Sequence, residues 1–153
     1  MSEEREYPEH PVIAVGGVVI ADSRALLIRR GQAPLEGRWS IPGGILELGE
    51  TISEGIAREL LEETGIEAKP TELLEVYEKV FRDASGRAQY HFVILDYLCE
   101  FRGGTAQPGG DVTAVAWASE AELSQYELTD AATRVIQKAF AATRVRTKAH
   151  GQS

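Results

Sequence analysis

Apolar and polar residues follow one another along the chain in patterns that predict a series of strands. Residues 12–20 form a continuous, mostly β-branched apolar run, which is typical of a buried strand. Clusters of glycine, proline and small polar residues separate this run from later ones and indicate turns and loops. The predicted strands are 12–20, 25–30, 73–82, 88–101 and 112–118, with turns at 21–24 and 83–86 and glycine-rich loops at 31–44 and 102–110.

Two longer segments have helical periodicity instead. Residues 51–64 begin with Thr51 and Glu54, a capping-box pair, and are followed by Gly65, a common helix stop. Residues 130–143 repeat apolar side chains at helical spacing, and a short helix is predicted after Ser119. Strands mixed with two main helices predict an α/β fold in which helices are layered around one sheet.

Length and composition favour a single globular domain. The 153 residues are 43% hydrophobic and 26% charged, which excludes disordered and fibrous classes. No apolar run approaches the ~20 residues that span a bilayer, and the polar N-terminal segment 1–10 does not resemble a secretory signal. Cys99 is the only cysteine, so an internal disulfide and a multi-cysteine zinc site are excluded. We expect a cytoplasmic protein, 1–153, with its core at 12–140 and no membrane contact.

The charge is unevenly distributed. The formal net charge is −8, yet residues 131–153 contain five basic residues and no acid, including a basic tail at 144–153. Residues 1–130 therefore contain 11 basic and 24 acidic residues. Such a negative field repels a nucleic-acid backbone, so binding to nucleic-acid polymers is not expected.

Three glutamates of the helix predicted at 51–64 stand out. At ~100° per residue, Glu59, Glu62 and Glu63 fit within an arc of about 100° that overlaps the apolar side of the helix. Carboxylates at a buried edge are costly unless they are paired or bind a metal, and one nearby arginine, Arg58, cannot neutralise all three. Oxygen-only ligands favour a hard divalent cation such as Mg²⁺.

The same segment resembles the Nudix box, G-x5-E-x7-R-E-U-x-E-E-x-G-U, at every defined position. The nine matching residues are Gly44, Glu50, Arg58, Glu59, Leu60, Glu62, Glu63, Gly65 and Ile66. Trp39-Ser-Ile-Pro-Gly-Gly44 before the box and Trp117 after it also resemble landmarks of the Nudix family.

This resemblance implies a Nudix-type α/β/α sandwich with a mixed sheet, and a hydrolase that cleaves a nucleoside diphosphate linked to another group, X, with Mg²⁺ or Mn²⁺. It also implies roles for the box residues. Glu59, Glu62 and Glu63 would be metal ligands or, for one of them, the catalytic base, and the Gly43 carbonyl would be a backbone ligand. Arg58 and Glu50 would support that face of the helix, next to Gly44.

Candidate site residues outside the Nudix box are indicated by weaker sequence signals. Glu100 resembles an additional metal-binding glutamate of some relatives, or is a surface residue at a strand end. Asp111 is either a catalytic acid of the glycine-rich loop or a turn residue. The candidate contacts to substrate phosphates or base are Arg29, Arg30, Arg38 and Trp39, and at most one of the adjacent Arg29 and Arg30 is expected to face the substrate.

The resemblance specifies the reaction more closely than the substrate. The general sequence is similar to small bacterial Nudix proteins that act on ADP-ribose or related nucleoside diphosphate derivatives. Two alternatives are a pyrophosphatase for oxidised nucleoside triphosphates and a non-catalytic nucleotide-binding module with the Nudix fold. The expected partner is a small nucleotide, and a homodimer is possible.

Overall fold

The computed structural model describes the backbone of residues 5–151 and the side chains of residues 5–146. The strands are β1 (Val12–Ala21), β2 (Arg24–Arg30), β3 (Trp39–Ser40), β4 (Gly43–Ile45), β5 (Glu67–Arg82), β6 (Ala88–Gly103) and β7 (Val112–Ser119). The helices are α1 (Ile52–Thr64), a 3₁₀ helix (Glu120–Gln125) and α2 (Asp130–Gly151).

Helix α1 begins and ends where the sequence predicts. The Thr51 side chain accepts a hydrogen bond from the Glu54 amide, and Glu54 accepts one from the Thr51 amide, which completes the capping box. Gly65 adopts the left-handed conformation (φ 72°) and closes the helix through a bond from its amide to the Leu61 carbonyl. These local contacts fix the two ends of α1.

Other boundaries differ from the prediction. Strands β3 and β4 lie inside the segment predicted as a loop, because they are stabilised by pairing with β2 and β1 rather than by an apolar pattern of their own. Strand β5 begins at Glu67 instead of residue 73, because its polar first residues pair with the end of β6. Helix α2 continues through Gly151, so the basic tail expected at 144–153 is helical as far as the structure describes it.

The strands form one mixed sheet. Strand β1 pairs in parallel with β6, and all other pairs are antiparallel. The order across the sheet is β3-β2-β1-β6-β5, with β4 added to β1 and β7 added to β2. One register row crosses three strands, because Asp96 of β6 pairs with Gly16 of β1 and Gly16 pairs with Gly43 of β4.

A hydrophobic core lies on each face of the sheet. On one face, Ile56 and Leu60 of α1 pack against Val15, Val19 and Leu26. On the other face, apolar residues of α2 pack against a second set of strand residues; this core includes Val18, Leu27, Leu98, Val135, Ile136 and Phe140. The sheet between two helical layers confirms the predicted α/β/α architecture.

Basic residues near the C-terminus pair with acids of the body. Arg134 and Lys138 both contact Glu75, and Arg144 contacts Glu120 at 2.7 Å. The side chain of Lys148, another basic residue of this region, lies outside the described residues. In the described part of the chain, no helix is long and apolar enough to cross a membrane.

Candidate active site

Arg58 organises the carboxylates of α1. Its guanidinium lies 2.5 and 2.9 Å from the two carboxylate oxygens of Glu50, and its Nη1 lies 2.9 Å from Glu59 and 3.3 Å from Glu62. Its Nη2 also donates to the Ile45 carbonyl at 3.1 Å, which ties α1 to β4. The guanidinium lowers the pKa of Glu50 to about 2, so Glu50 is a permanent anion that orients Arg58. Arg58 therefore links Glu50, β4 and the glutamates of α1 in one network.

Two glycines of β4 allow the glutamates to approach the sheet. The Gly43 amide donates to Oε1 of Glu63 at 2.9 Å. A methyl group on Gly44 would lie 2.5 Å from the carboxyl carbon of Glu59, so Glu59 packs directly on the Gly44 backbone. The carboxylate-bearing side of α1 is therefore held against β4 by a hydrogen bond and by close packing.

The two glutamates nearest the sheet differ in their environments. Glu59 is 9% exposed, and Glu63 is half-buried. Burial is the main cause that raises the pKa of Glu63 to about 8, and the negative charge of Glu59 acts in the same direction. The hydrogen bond from the Gly43 amide and the positive charge of Arg30 act in the opposite direction. Burial also raises the pKa of Glu59, but the hydrogen bond from Arg58 opposes that shift. Glu63 thus lacks the direct guanidinium contact that Glu59 has, so its burial favours the protonated form unless a cation approaches it.

The glycine-rich loop after β6 packs on the end of α1. The Gly109 amide donates to the Glu63 carbonyl at 3.0 Å, and the Gln107 amide donates to the Thr64 carbonyl at 2.9 Å. A methyl group on Gly109 would lie 2.2 Å from the Glu62 carbonyl oxygen, so only glycine allows this approach. The loop then brings Asp111 to the rim of the same cleft as Glu62 and Glu63.

The donor set of this cleft fits a hard divalent cation. The carboxylates that line it are those of Glu47, Glu59, Glu62, Glu63 and Asp111, and they offer oxygen donors only. Among residues 5–146, no three carboxylate, imidazole or thiol groups already stand together as a metal-binding cluster. Arg58 and the Gly43 amide each bond one oxygen of Glu59, Glu62 and Glu63, which leaves the other oxygen of each carboxylate without a hydrogen bond among the described residues.

Of the four expected substrate contacts, only Arg30 lines the cleft. Its burial lowers the pKa of the guanidinium, and its Nε donates to the Pro34 carbonyl at 2.8 Å. Arg29 is exposed on the other face of β2 and donates to the Gly37 carbonyl at 3.2 Å. The expectation that only one of the two adjacent arginines faces the substrate site agrees with this placement.

The structure places Arg38 and Trp39 away from the cleft. Arg38 donates to the backbone carbonyls of Glu127 and Leu128 at 3.1 and 2.6 Å, joining β3 to the segment before α2. The Trp39 ring meets the Tyr126 ring edge to face at 5.0 Å and packs against the core on the α2 side. Both residues therefore stabilise the fold rather than line the site.

Glu100 also lies apart from the glutamates of α1. It shares a face of β6 with Leu98, which packs in the core on the α2 side, whereas α1 covers the opposite face. Its side chain is 57% exposed and lies 3.7 Å from Arg102. The structure thus favours the surface interpretation of Glu100 over the metal-ligand one.

Arg5 is a cleft residue that the sequence did not single out. The Tyr7 amide donates to the Gln89 carbonyl at 2.7 Å and the Tyr7 hydroxyl donates to Asp83 at 2.8 Å, so residues 5–7 lie against the β5–β6 hairpin. Arg5 then reaches the cleft, and its Nε is buried without a hydrogen-bond partner among the described residues. No local pattern identifies Arg5, because its position depends on a hairpin about 80 residues away.

The protein is an α/β/α sandwich in which a capped helix holds partly or fully buried glutamates against a glycine strand at an acidic cleft. The NUDIX domain model matches residues 10–139, and the chain belongs to the Nudix family. The family expected from the box residues is thereby confirmed.

Two relatives and a solved structure agree with this assignment. An ADP-ribose pyrophosphatase of Methanocaldococcus jannaschii is 38% identical over 102 residues, which are 67% of this chain and 58% of that protein. A MutT-like protein of Streptomyces ambofaciens is 40% identical over 128 residues, 82% of this chain and 76% of that protein. The crystal structure of a MutT NUDIX hydrolase from Burkholderia pseudomallei is similar with a TM-score of 0.72 and 31% identity, covering 85% of this chain and 98% of that chain. The chain thus spans less than two thirds of the archaeal relative's length.

Proposed function

We propose that this protein is a pyrophosphohydrolase that cleaves a nucleoside diphosphate derivative of the ADP-ribose type with the help of Mg²⁺ or Mn²⁺. The observation that carries the proposal is the pair of desolvated carboxylates, Glu59 and Glu63, in one cleft with Arg58 and Arg30. The relative from Methanocaldococcus jannaschii, named an ADP-ribose pyrophosphatase, supports this substrate class.

The chain's own cations are placed to bind the diphosphate. Arg30 and Arg5 both line the cleft, opposite the glutamates of α1. Guanidinium groups bind phosphate oxygens through paired N–H donors, and the Nε of Arg5 has no hydrogen-bond partner among the described residues. These two side chains would orient the diphosphate with its bridging oxygen over the carboxylates.

A glutamate of α1 would accept a proton from the attacking water. Oε1 of Glu63 is held by the Gly43 amide, and the structure shows no hydrogen bond to Oε2 among the described residues. The water oxygen forms a bond to phosphorus, the phosphorus–oxygen anhydride bond breaks, and its electron pair leaves with the departing phosphate. The products are a nucleoside monophosphate and a phosphorylated X.

Glu59, Glu62 and Glu63, apart from the one that accepts the proton, would hold the divalent cation, with the Gly43 carbonyl as a backbone ligand. A bound cation would neutralise charge on the diphosphate and lower the pKa of a coordinated water. Arg58 and Glu50 keep the carboxylates of α1 at the cleft before any ligand arrives.

The test compares Glu63→Gln with Glu78→Gln, a matched change at an exposed glutamate of β5. Purified protein is assayed for nucleoside monophosphate release from a panel of diphosphate derivatives with Mg²⁺ or Mn²⁺. We expect Glu63→Gln to lower kcat by ~10²–10⁴-fold without changing the circular dichroism spectrum. Glu78→Gln should keep the wild-type kcat. Binding of the panel without any turnover by the wild type would instead indicate a nucleotide-binding module.

A further inference from the structure

A second pocket lies next to the acidic cleft, on the side of the sheet that carries α2. Its apolar wall consists of side chains from the central part of β5 and β6, namely Tyr77, Phe81, Phe92 and Ile94. It shares Arg5, Arg30 and Gly43 with the acidic cleft. A molecule whose phosphates lie in the cleft could therefore extend directly into this pocket.

The pocket has one buried acid, Asp96 of β6. Asp96 is 1% exposed, and its Oδ2 has no hydrogen-bond partner among the described residues. Leaving a buried polar atom unpaired costs roughly 1–3 kcal/mol, so such atoms call for a functional explanation. Nothing in the chemistry proposed above uses this side chain.

Gly16 makes room for the carboxyl group of Asp96. A methyl group on Gly16 would lie 2.3 Å from Oδ1 of Asp96, so the carboxyl group extends over the bare backbone of β1. Gly16 pairs in turn with Gly43, which lines the acidic cleft. The row from Asp96 through Gly16 to Gly43 therefore runs from the pocket to the edge of the acidic cleft, and its two glycines place no side chain between the two sites.

The charges around Asp96 do not satisfy it. Burial raises its pKa to about 7, with the Tyr77 hydroxyl, Arg134 and Lys79 opposing the shift and Glu75 reinforcing it. No lysine or arginine nitrogen of the described residues lies within 4 Å of its carboxylate, and Arg134 is bound to Glu75. Oδ2 of Asp96 is thus left without a hydrogen-bond partner among the described residues.

We propose, building on the function proposed above, that this pocket binds the base of the substrate's nucleoside and that Asp96 accepts a hydrogen bond from an exocyclic amino group of that base. The aromatic wall suits a planar heterocycle. A site built around a buried acceptor discriminates strongly against an analogue that lacks the donor, because the acceptor is then left unpaired.

The experiment measures nucleotide binding without hydrolysis. Wild-type protein in EDTA is titrated by calorimetry with pairs of nucleoside monophosphates that differ by one amino group: AMP and purine riboside monophosphate, GMP and inosine monophosphate, and CMP and its 2-pyrimidinone analogue. We expect at least a tenfold lower Kd for the amino member of at least one pair. No preference in any pair, or no binding of any of these nucleotides, would overturn the proposal.

Variants of Asp96 test whether this side chain causes the preference for the nucleotide with the amino group. Asp96→Ala should abolish it, and Asp96→Asn, which is nearly the same size, should reduce it because its amide can donate as well as accept. Glu75→Gln changes a neighbouring charge without touching the pocket and should keep the preference. A preference that survives both Asp96 variants would also overturn the proposal. Because no metal and no turnover are involved, this failure is distinct from a failure of the proposed hydrolase activity.

Discussion

The Gly43 amide and the Glu63 carboxylate are joined by a 2.9 Å hydrogen bond between the short strand β4 and the last turn of α1. The next glycine, Gly44, lies under the Glu59 carboxylate. Two consecutive residues of β4 thus position two glutamates that are one helical turn apart. The glycine pair is as much a part of the site as the acids are.

Replacing Gly44 tests this packing. The added methyl group of Gly44→Ala would lie 2.5–2.7 Å from the carboxylate atoms of Glu59 and would displace that side chain. We expect the free energy of unfolding to fall by ~1–3 kcal/mol and kcat to fall at least tenfold. Gly103→Ala is the control, because its added methyl group has no atom within 4 Å and its φ is ordinary. Equal activity and stability of the two variants would contradict the packing argument.

Arg5 is predicted to bind substrate rather than to stabilise the fold. In Arg5→Ala a cation that faces Glu59 and Glu63 is lost, so we expect KM for the diphosphate substrate to rise about tenfold with little change in melting temperature. Arg82→Ala removes an exposed arginine of β5 that donates to the Gly86 carbonyl, and its KM should stay at the wild-type value. A normal KM in Arg5→Ala, measured by steady-state kinetics, would argue against the contact.

The family resemblance suggests Glu100 as a metal ligand, whereas the structure places its side chain at the surface. Because Glu100 lies on the sheet face opposite α1, Glu100→Gln should leave the Mg²⁺ concentration for half-maximal activity unchanged within about twofold. Glu59→Gln, measured in the same titration, should raise it substantially. A shift of tenfold or more in Glu100→Gln would restore Glu100 as a metal ligand.

Asp96 should make stability depend on pH. Its folded-state pKa is raised from 3.8 to about 7, so between about pH 4 and pH 7 the folded protein holds a proton that the unfolded chain has released. The stability linked to this group is therefore greatest below pH 4 and declines as pH rises through 7, by at most ~1.4 kcal/mol per pH unit. Urea denaturation in EDTA should show this extra decline in the wild type relative to Asp96→Asn. Parallel pH profiles of the two proteins would refute it.

The parts of the fold that depend on local sequence were predictable. Thr51, Glu54 and Gly65 determine the ends of α1 through contacts within a few residues, and the structure contains each of them. The helical spacing of the glutamates likewise placed Glu59 and Glu63 at the buried edge. In the structure Glu59 is the more buried of the two, because Gly44 allows it closest to the sheet.

Features that depend on distant partners were not predictable. Strand β4 exists because it pairs with β1, about 30 residues earlier, and Arg38 is held by carbonyls about 90 residues later. Arg5 enters the cleft through the contacts of Tyr7 with a remote hairpin. A single sequence contains no periodicity or spacing that reports such pairings.

The row of Asp96, Gly16 and Gly43 separates two compartments by a wall only one backbone thick. Residues of α1 contribute to one compartment, and residues of β5 and β6 line the other. Under the base-binding proposal, substitutions on β5 and β6 would change which molecule binds while α1 stays unchanged. The same glutamates of α1 would then act on a different metabolite after a few substitutions in β5 and β6.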